Sequence, residues 1–229
     1  MSTNLLFLPP LLVTLPLKIS ALVGIQEAPN SLALVAGIGA LVSVFANPFF
    51  GRMSDRTSSH VGMRRPWMVI GLLGGSVGLL IVALAPNIPV VLVGWCVTQL
   101  FFNALLAALI AVLPDQVPPT QRGLVSGVLG ICLPIAAVSG TFLVRLVSGS
   151  QLATFLVPCG VAGFFILLFA VVLNDRRLTV ADRPIWSLRE FASTFYVAPW
   201  AVQTSPGLSP AASCSFWPTH SWLPTRPTI

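Results

Sequence analysis

The sequence predicts an all-α polytopic membrane protein with six transmembrane helices and an irregular C-terminal tail. Three observations predict it. Only 8% of the 229 residues are charged and 55% are hydrophobic, whereas a soluble domain carries roughly 25% charged residues. The mean hydropathy is +0.91, and several apolar runs approach the ~20 residues that cross a bilayer as helix. The basic residues fall between those runs rather than on one face of a soluble domain, so the net charge of +6 points to topology and no nucleic-acid partner is expected.

The first span, 5–24, follows from the N-terminal sequence "MSTNLLFLPPLLVTLPLKIS". It has no basic leader and no small-residue cleavage site, so it reads as a retained span and not a signal peptide. The second span covers 31–50. The third, 66–85, carries Gly71 and Gly75, and the fifth, 123–147, carries Gly123 and Gly127. Both are small-xxx-small pairs that let helix backbones pack closely. The fourth span covers 88–113 and the sixth 152–173. Cys96, Cys132 and Cys159 lie inside apolar runs and Cys214 in the tail, with no metal spacing, so they read as small hydrophobes. No metal and no cofactor is expected.

The connections alternate in charge. "QEAPN", "APNIP" and "SGSQ" hold no lysine or arginine, while the others hold Arg52, Arg56, Arg64 and Arg65, then Arg122, then Arg176, Arg177, Arg183 and Arg189. Nine of the twelve basic residues thus lie on one side. By the positive-inside rule that side is the cytoplasm, with the N-terminus also inside, in a multi-pass protein of the plasma or inner membrane. The span bundle is taken as 1–175, a basic cytoplasmic linker as 176–202, and the tail as 203–229. The tail holds five prolines and five serines without a helical apolar period, a composition that breaks helix and favours disorder.

The stretch "GRMSDRTSSHVGMRRPW" resembles the signature loop between the second and third spans of major facilitator superfamily transporters, with Gly51, Asp55 and Arg56 matching its first half and Gly62, Arg64 and Arg65 its second. "TSSHV" lengthens the middle, as in the glycoside–pentoside–hexuronide and sucrose-type symporter branch. "LPDQVPPTQRG", with Asp115, Arg122 and Gly123, is similar to a second loop of that branch. The resemblance implies the six-helix N-terminal half of that fold, two inverted three-helix repeats, with the substrate site near the bilayer midplane between two such halves. It also implies a secondary transporter of small solutes working by alternating access, sugars or glycosides favoured and drug-type efflux the alternative, with H+ or Na+ as coupling ion.

Gly51 would let neighbouring helices come close where the chain leaves the membrane. Asp55, near helix ends, would accept backbone N–H bonds or pair with arginine. Arg56, Arg64 and Arg65 either form a latch with it or merely set topology. Trp95, Gln99 and Asn103 recur every four residues and share one helical face, which suits a hydroxyl-rich substrate or, equally, interhelical hydrogen bonding. Lys18, with Thr14 one turn before it, is a candidate because it is ionisable within a span, though near the outer end it could snorkel to the interface. Arg145 is read the same way. No acidic residue lies at mid-depth in any span. His60 and His220 have no nucleophile or metal constellation around them, so no enzyme is expected.

Twelve spans are the family norm, so a second half, either absent or supplied by a homodimer, is expected as a partner beside the lipid bilayer and the solute. "WPTHSWLPTRPT" is compatible with an alternative reading frame, "AYAFLATYQT", that resembles a seventh span. A frame change near Pro199 to Gln203, leaving a truncated or inactive half-transporter, is therefore expected.

Overall fold

In a computed structural model, which describes residues 2–57, 59, 62–147, 149–173 and 175, six helices are long and apolar enough to cross a membrane. They are α1 (Thr3–Val23), α2 (Ala28–Asp55), α3 (Arg65–Leu84), α4 (Ile88–Gln116), α5 (Arg122–Leu146) and α6 (Gln151–Val172). No strand occurs among the described residues. The spans expected from sequence agree to within a few residues, except that α2 runs on past residue 50 and takes Gly51 and Asp55 into the helix. The linker 176–202, the tail 203–229 and His60 lie outside the described residues.

Local chemistry sets the helix ends. Asn87 is extended and its side chain accepts a 3.1 Å bond from Val90 N, with Pro89 just inside the helix, so α4 starts where a capping side chain and a proline both favour it. α1 is interrupted by a π turn over Pro10–Thr14. Pro9 and Pro10 donate no N–H to the helix ladder, and Leu15 N reaches back five residues to Pro10 O. Adjacent prolines thus widen the helix without ending it.

The helix contacts repeat. α1 packs on α5 and α6, α4 packs on α2 and α3, and α3 packs on α6. Exchanging α1 with α4, α2 with α5 and α3 with α6 carries these contacts onto one another, although the α5–α6 and α1–α2 contacts have no counterpart of similar extent. Two three-helix units related by a two-fold produce that pattern, and an odd number of crossings inverts the second unit relative to the first. The core is filled by Trp95, Phe102, Phe155, Leu79 and Leu105, all nearly inaccessible. Phe7 of α1 meets Phe102 of α4 edge to face at 5.5 Å. Many leucines, valines and phenylalanines remain exposed on the bundle's outside, as a lipid-facing surface requires.

Glycine decides the closest approach. A Cβ on Gly71 would lie 2.7 Å from both Leu105 N and Phe101 O, and one on Gly75 would lie 2.0 Å from the Phe102 ring. The packing expected of this pair is present between α3 and α4. Gly123 and Gly127 differ: no atom lies within 4 Å of a Cβ at either. Among the described residues their pair faces open space, because that side of α5 meets no described helix.

Candidate functional site

The charged residues of the two signature loops meet at one end of the bundle. Asp55 is the last residue of α2, Arg64 immediately precedes α3, and Asp115 lies in the last turn of α4. The Arg64 side chain is only 5% exposed. Its Nη1 is 2.5 Å from Asp55 Oδ1 and donates to Ser54 Oγ. Its Nη2 and Nε both donate to Asp115 Oδ2, at 3.1 and 3.2 Å. One guanidinium therefore ties the end of α2 to the end of α4, using the several donors of a planar fork. Of the two roles open to Asp55, the described one is pairing with arginine. A carboxylate at a helix C-terminus is disfavoured by the helix dipole, so the Arg64 charge offsets its position.

The carboxylate that accepts backbone N–H groups is a different one, Asp175, which sequence reasoning missed. Its Oδ2 accepts from Arg64 N at 2.7 Å and Arg65 N at 3.0 Å. Arg64, at the N-cap position of α3, makes no side-chain cap bond of its own, so a residue just beyond α6 caps α3 instead. Arg65 returns the contact: its Nη2 donates to Leu173 O and to Val171 O, at the end of α6. The helices exchange caps, each supplying the charge that the other's dipole favours.

Gly62 is required here on two counts. Its φ is +122°, and a Cβ would lie 2.2 Å from Asp175 Oδ2 and 2.7 Å from Asp175 Cβ. Asp175→Ala is expected to cost about 1 kcal/mol through the lost cap, and Gly62→Ala more. Chemical unfolding midpoints of the two variants measure the order.

Two expectations need correction. Gly51 does not mark a close approach: the nearest atom to a Cβ there is Ala107 Cβ at 4.0 Å, an ordinary contact. The tight α2–α4 contact falls at Gly39, where a Cβ would lie 2.4 Å from Trp95 Nε1. Lys18 does not snorkel. It is 6% exposed, and its Nζ donates to Ala83 O at 2.9 Å and to Gln151 Oε1 at 3.2 Å. In the second signature loop, Arg122 Nε donates to Val117 O at 3.1 Å, folding back on its own loop. Arg56 is the C-cap residue of α2.

Trp95, Gln99 and Asn103 do share a face, which is turned to α2 and buried. Asn103 Nδ2 donates to Ser43 Oγ at 2.6 Å and to Gln99 O at 2.7 Å, so the amide bonds between helices. The buried Trp95 Nε1 has no partner among the described residues. Two of the cavities among the described residues bear on function. One of about 540 Å³ lies between α1, α4, α5 and α6, near the end of α4, walled by Leu109, Val112, Leu129, Phe165 and Phe169, with Thr3 at its side. The other, of about 390 Å³, surrounds Lys18 and Arg145.

A family model described as Major Facilitator Superfamily matches residues 2–224, a range that takes in the linker and most of the tail. No curated protein matches the chain.

Proposed function

The chain belongs to the major facilitator superfamily, whose members move small solutes across membranes, and we propose that it is a secondary active transporter working by alternating access. The observation that carries this reading is the Arg64 bridge between Asp55 and Asp115. It clasps the ends of α2 and α4 at the end we assign to the cytoplasm. Such a clasp stabilises the conformation closed on that side and must separate when that side opens.

Sugars or glycosides are the leading solutes, supported by the lengthened signature loop and the amides of Gln99 and Asn103. The Asn103 amide here donates to Ser43 of α2, and the Gln99 amide oxygen accepts from Asn103 within α4, so recognition of hydroxyl groups requires α2 and α4 to part in the open state. A second reading, an apolar drug-type solute, is favoured by the apolar walls of the larger cavity. Among the described residues the carboxylates Glu27, Asp55, Asp115 and Asp175 all lie at or beyond helix ends, so coupling to H+ or Na+ is assigned to a second six-helix body. The faces of α2 and α5 suit such a body, in the same polypeptide or a second copy. Only 17% of each apolar stretch is buried, against 39% to 44% for the other four. The frame change proposed for the tail is tested by the nucleotide sequence of codons 195–229.

Uptake into proteoliposomes tests the reading. Asp55→Asn is expected to lower accumulation about tenfold with membrane insertion unchanged, because the clasp is weakened and not the fold. Equal insertion with unchanged transport contradicts the clasp. Accumulation of neither sugars nor apolar drugs by correctly inserted protein overturns transport by this chain alone.

A further inference from the structure

At the end of the bundle opposite the Arg64 cluster, the smaller cavity gathers two cations from different helices. Lys18 of α1 and Arg145 of α5 both line it, together with Gln151 of α6. Among the described residues no carboxylate pairs with either cation. Lys18 is recessed, and its two acceptors, Ala83 O and Gln151 Oε1, are neutral. An ammonium held inside a helix bundle without a counter-charge is costly and marks a functional position. Arg145 is exposed at the mouth.

The remaining polar walls sharpen the chemistry. Thr14, Thr141 and Thr154 spend their hydroxyl hydrogens on backbone carbonyls of Pro10, Ala137 and Gln151. The donors left for a ligand are the third N–H of Lys18, the Arg145 guanidinium and the Gln151 amide nitrogen, whose carbonyl already accepts from Lys18. Val13, Leu17, Val144 and Phe155 line the rest. A volume of about 390 Å³ lies within the range of small-molecule sites and is too small for a diacyl lipid.

We propose that this cavity binds a small organic carboxylate, with Lys18 and Arg145 holding the carboxylate, Gln151 donating to it and the apolar walls taking its hydrocarbon body. This goes beyond the transport reading, because occupancy is measurable without turnover and is independent of the clasp. Labelled benzoate tests it by equilibrium binding to the full chain in detergent and in phosphatidylcholine nanodiscs. Saturable binding is expected in both, with benzamide failing to compete. Arg145→Gln is expected to weaken it about tenfold, as is Lys18→Met, while Lys18→Arg retains it. Because Lys18 is buried, the exposed Arg145→Gln is the variant that leaves packing untouched. Equal competition by benzamide, or unchanged affinity in Arg145→Gln, overturns the proposal. So does native mass spectrometry in which phosphatidylglycerol is retained by wild type, lost from both charge-removing variants and not displaced by benzoate, which would make the cavity a lipid-headgroup site.

Discussion

Arg64→Gln is expected to open the clasped end of the bundle and to cut transport at least tenfold, with membrane insertion unchanged. The guanidinium is nearly buried while Asp55 and Asp115 are 51% and 30% exposed. Removing it therefore leaves two like charges that have lost their shared cation and are screened by water. The fold survives, since partly exposed carboxylates are tolerated and the α3 cap by Asp175 uses backbone N–H groups that the substitution keeps. What is lost is the tie between α2 and α4.

A single cysteine at Thr3, beside the larger cavity, reports the opening through labelling by an impermeant maleimide. Labelling is expected to be slow in wild type and about tenfold faster in Arg64→Gln, with Arg64→Lys in between, because a point charge replaces the fork. Equal rates in all three would show that the cluster sets topology and nothing more.

Gly71→Ala is expected to destabilise the bundle by about 1–3 kcal/mol, the ordinary cost of an inserted methyl in a packed interface. The added carbon would lie 2.7 Å from Leu105 N and Phe101 O. Backbone atoms cannot swing aside as a side-chain tip can, so α3 and α4 must separate along their whole contact. Gly123→Ala is the matched control. It belongs to the same kind of small-residue pair, yet nothing lies within 4 Å of its Cβ, and alanine favours helix over glycine by about 1 kcal/mol. Urea unfolding in mixed micelles should place Gly71→Ala below wild type and Gly123→Ala at or above it.

The span pattern was legible because run length and charge alternation are both properties of the chain read in one dimension. The joining of the two signature loops was not legible: spacing names Asp55, Arg64 and Asp115 but does not say that one guanidinium bridges the two acids. Asp175 was invisible because a lone aspartate after a span reads as an ordinary loop charge. Its partners, Arg64 N and Arg65 N, lie 111 and 110 residues away. Helical period put Trp95, Gln99 and Asn103 on one face, yet period does not say whether a face meets a cavity or another helix, and here it meets α2. The place of Lys18 near the outer end of its span was legible but its burial was not, because that depends on Ala83 and Gln151 arriving from other helices. Pro9 and Pro10 did carry a signal for the π turn of α1, as adjacent prolines inside an apolar run.

Arg64 holds the end of α2 to the end of α4. Pulsed electron paramagnetic resonance between spin labels at Met53 on α2 and Gln116 on α4 tests it most directly. One narrow, short-distance population is expected in wild type and a broader distribution with an added longer component in Arg64→Gln. Superimposable distributions would contradict it.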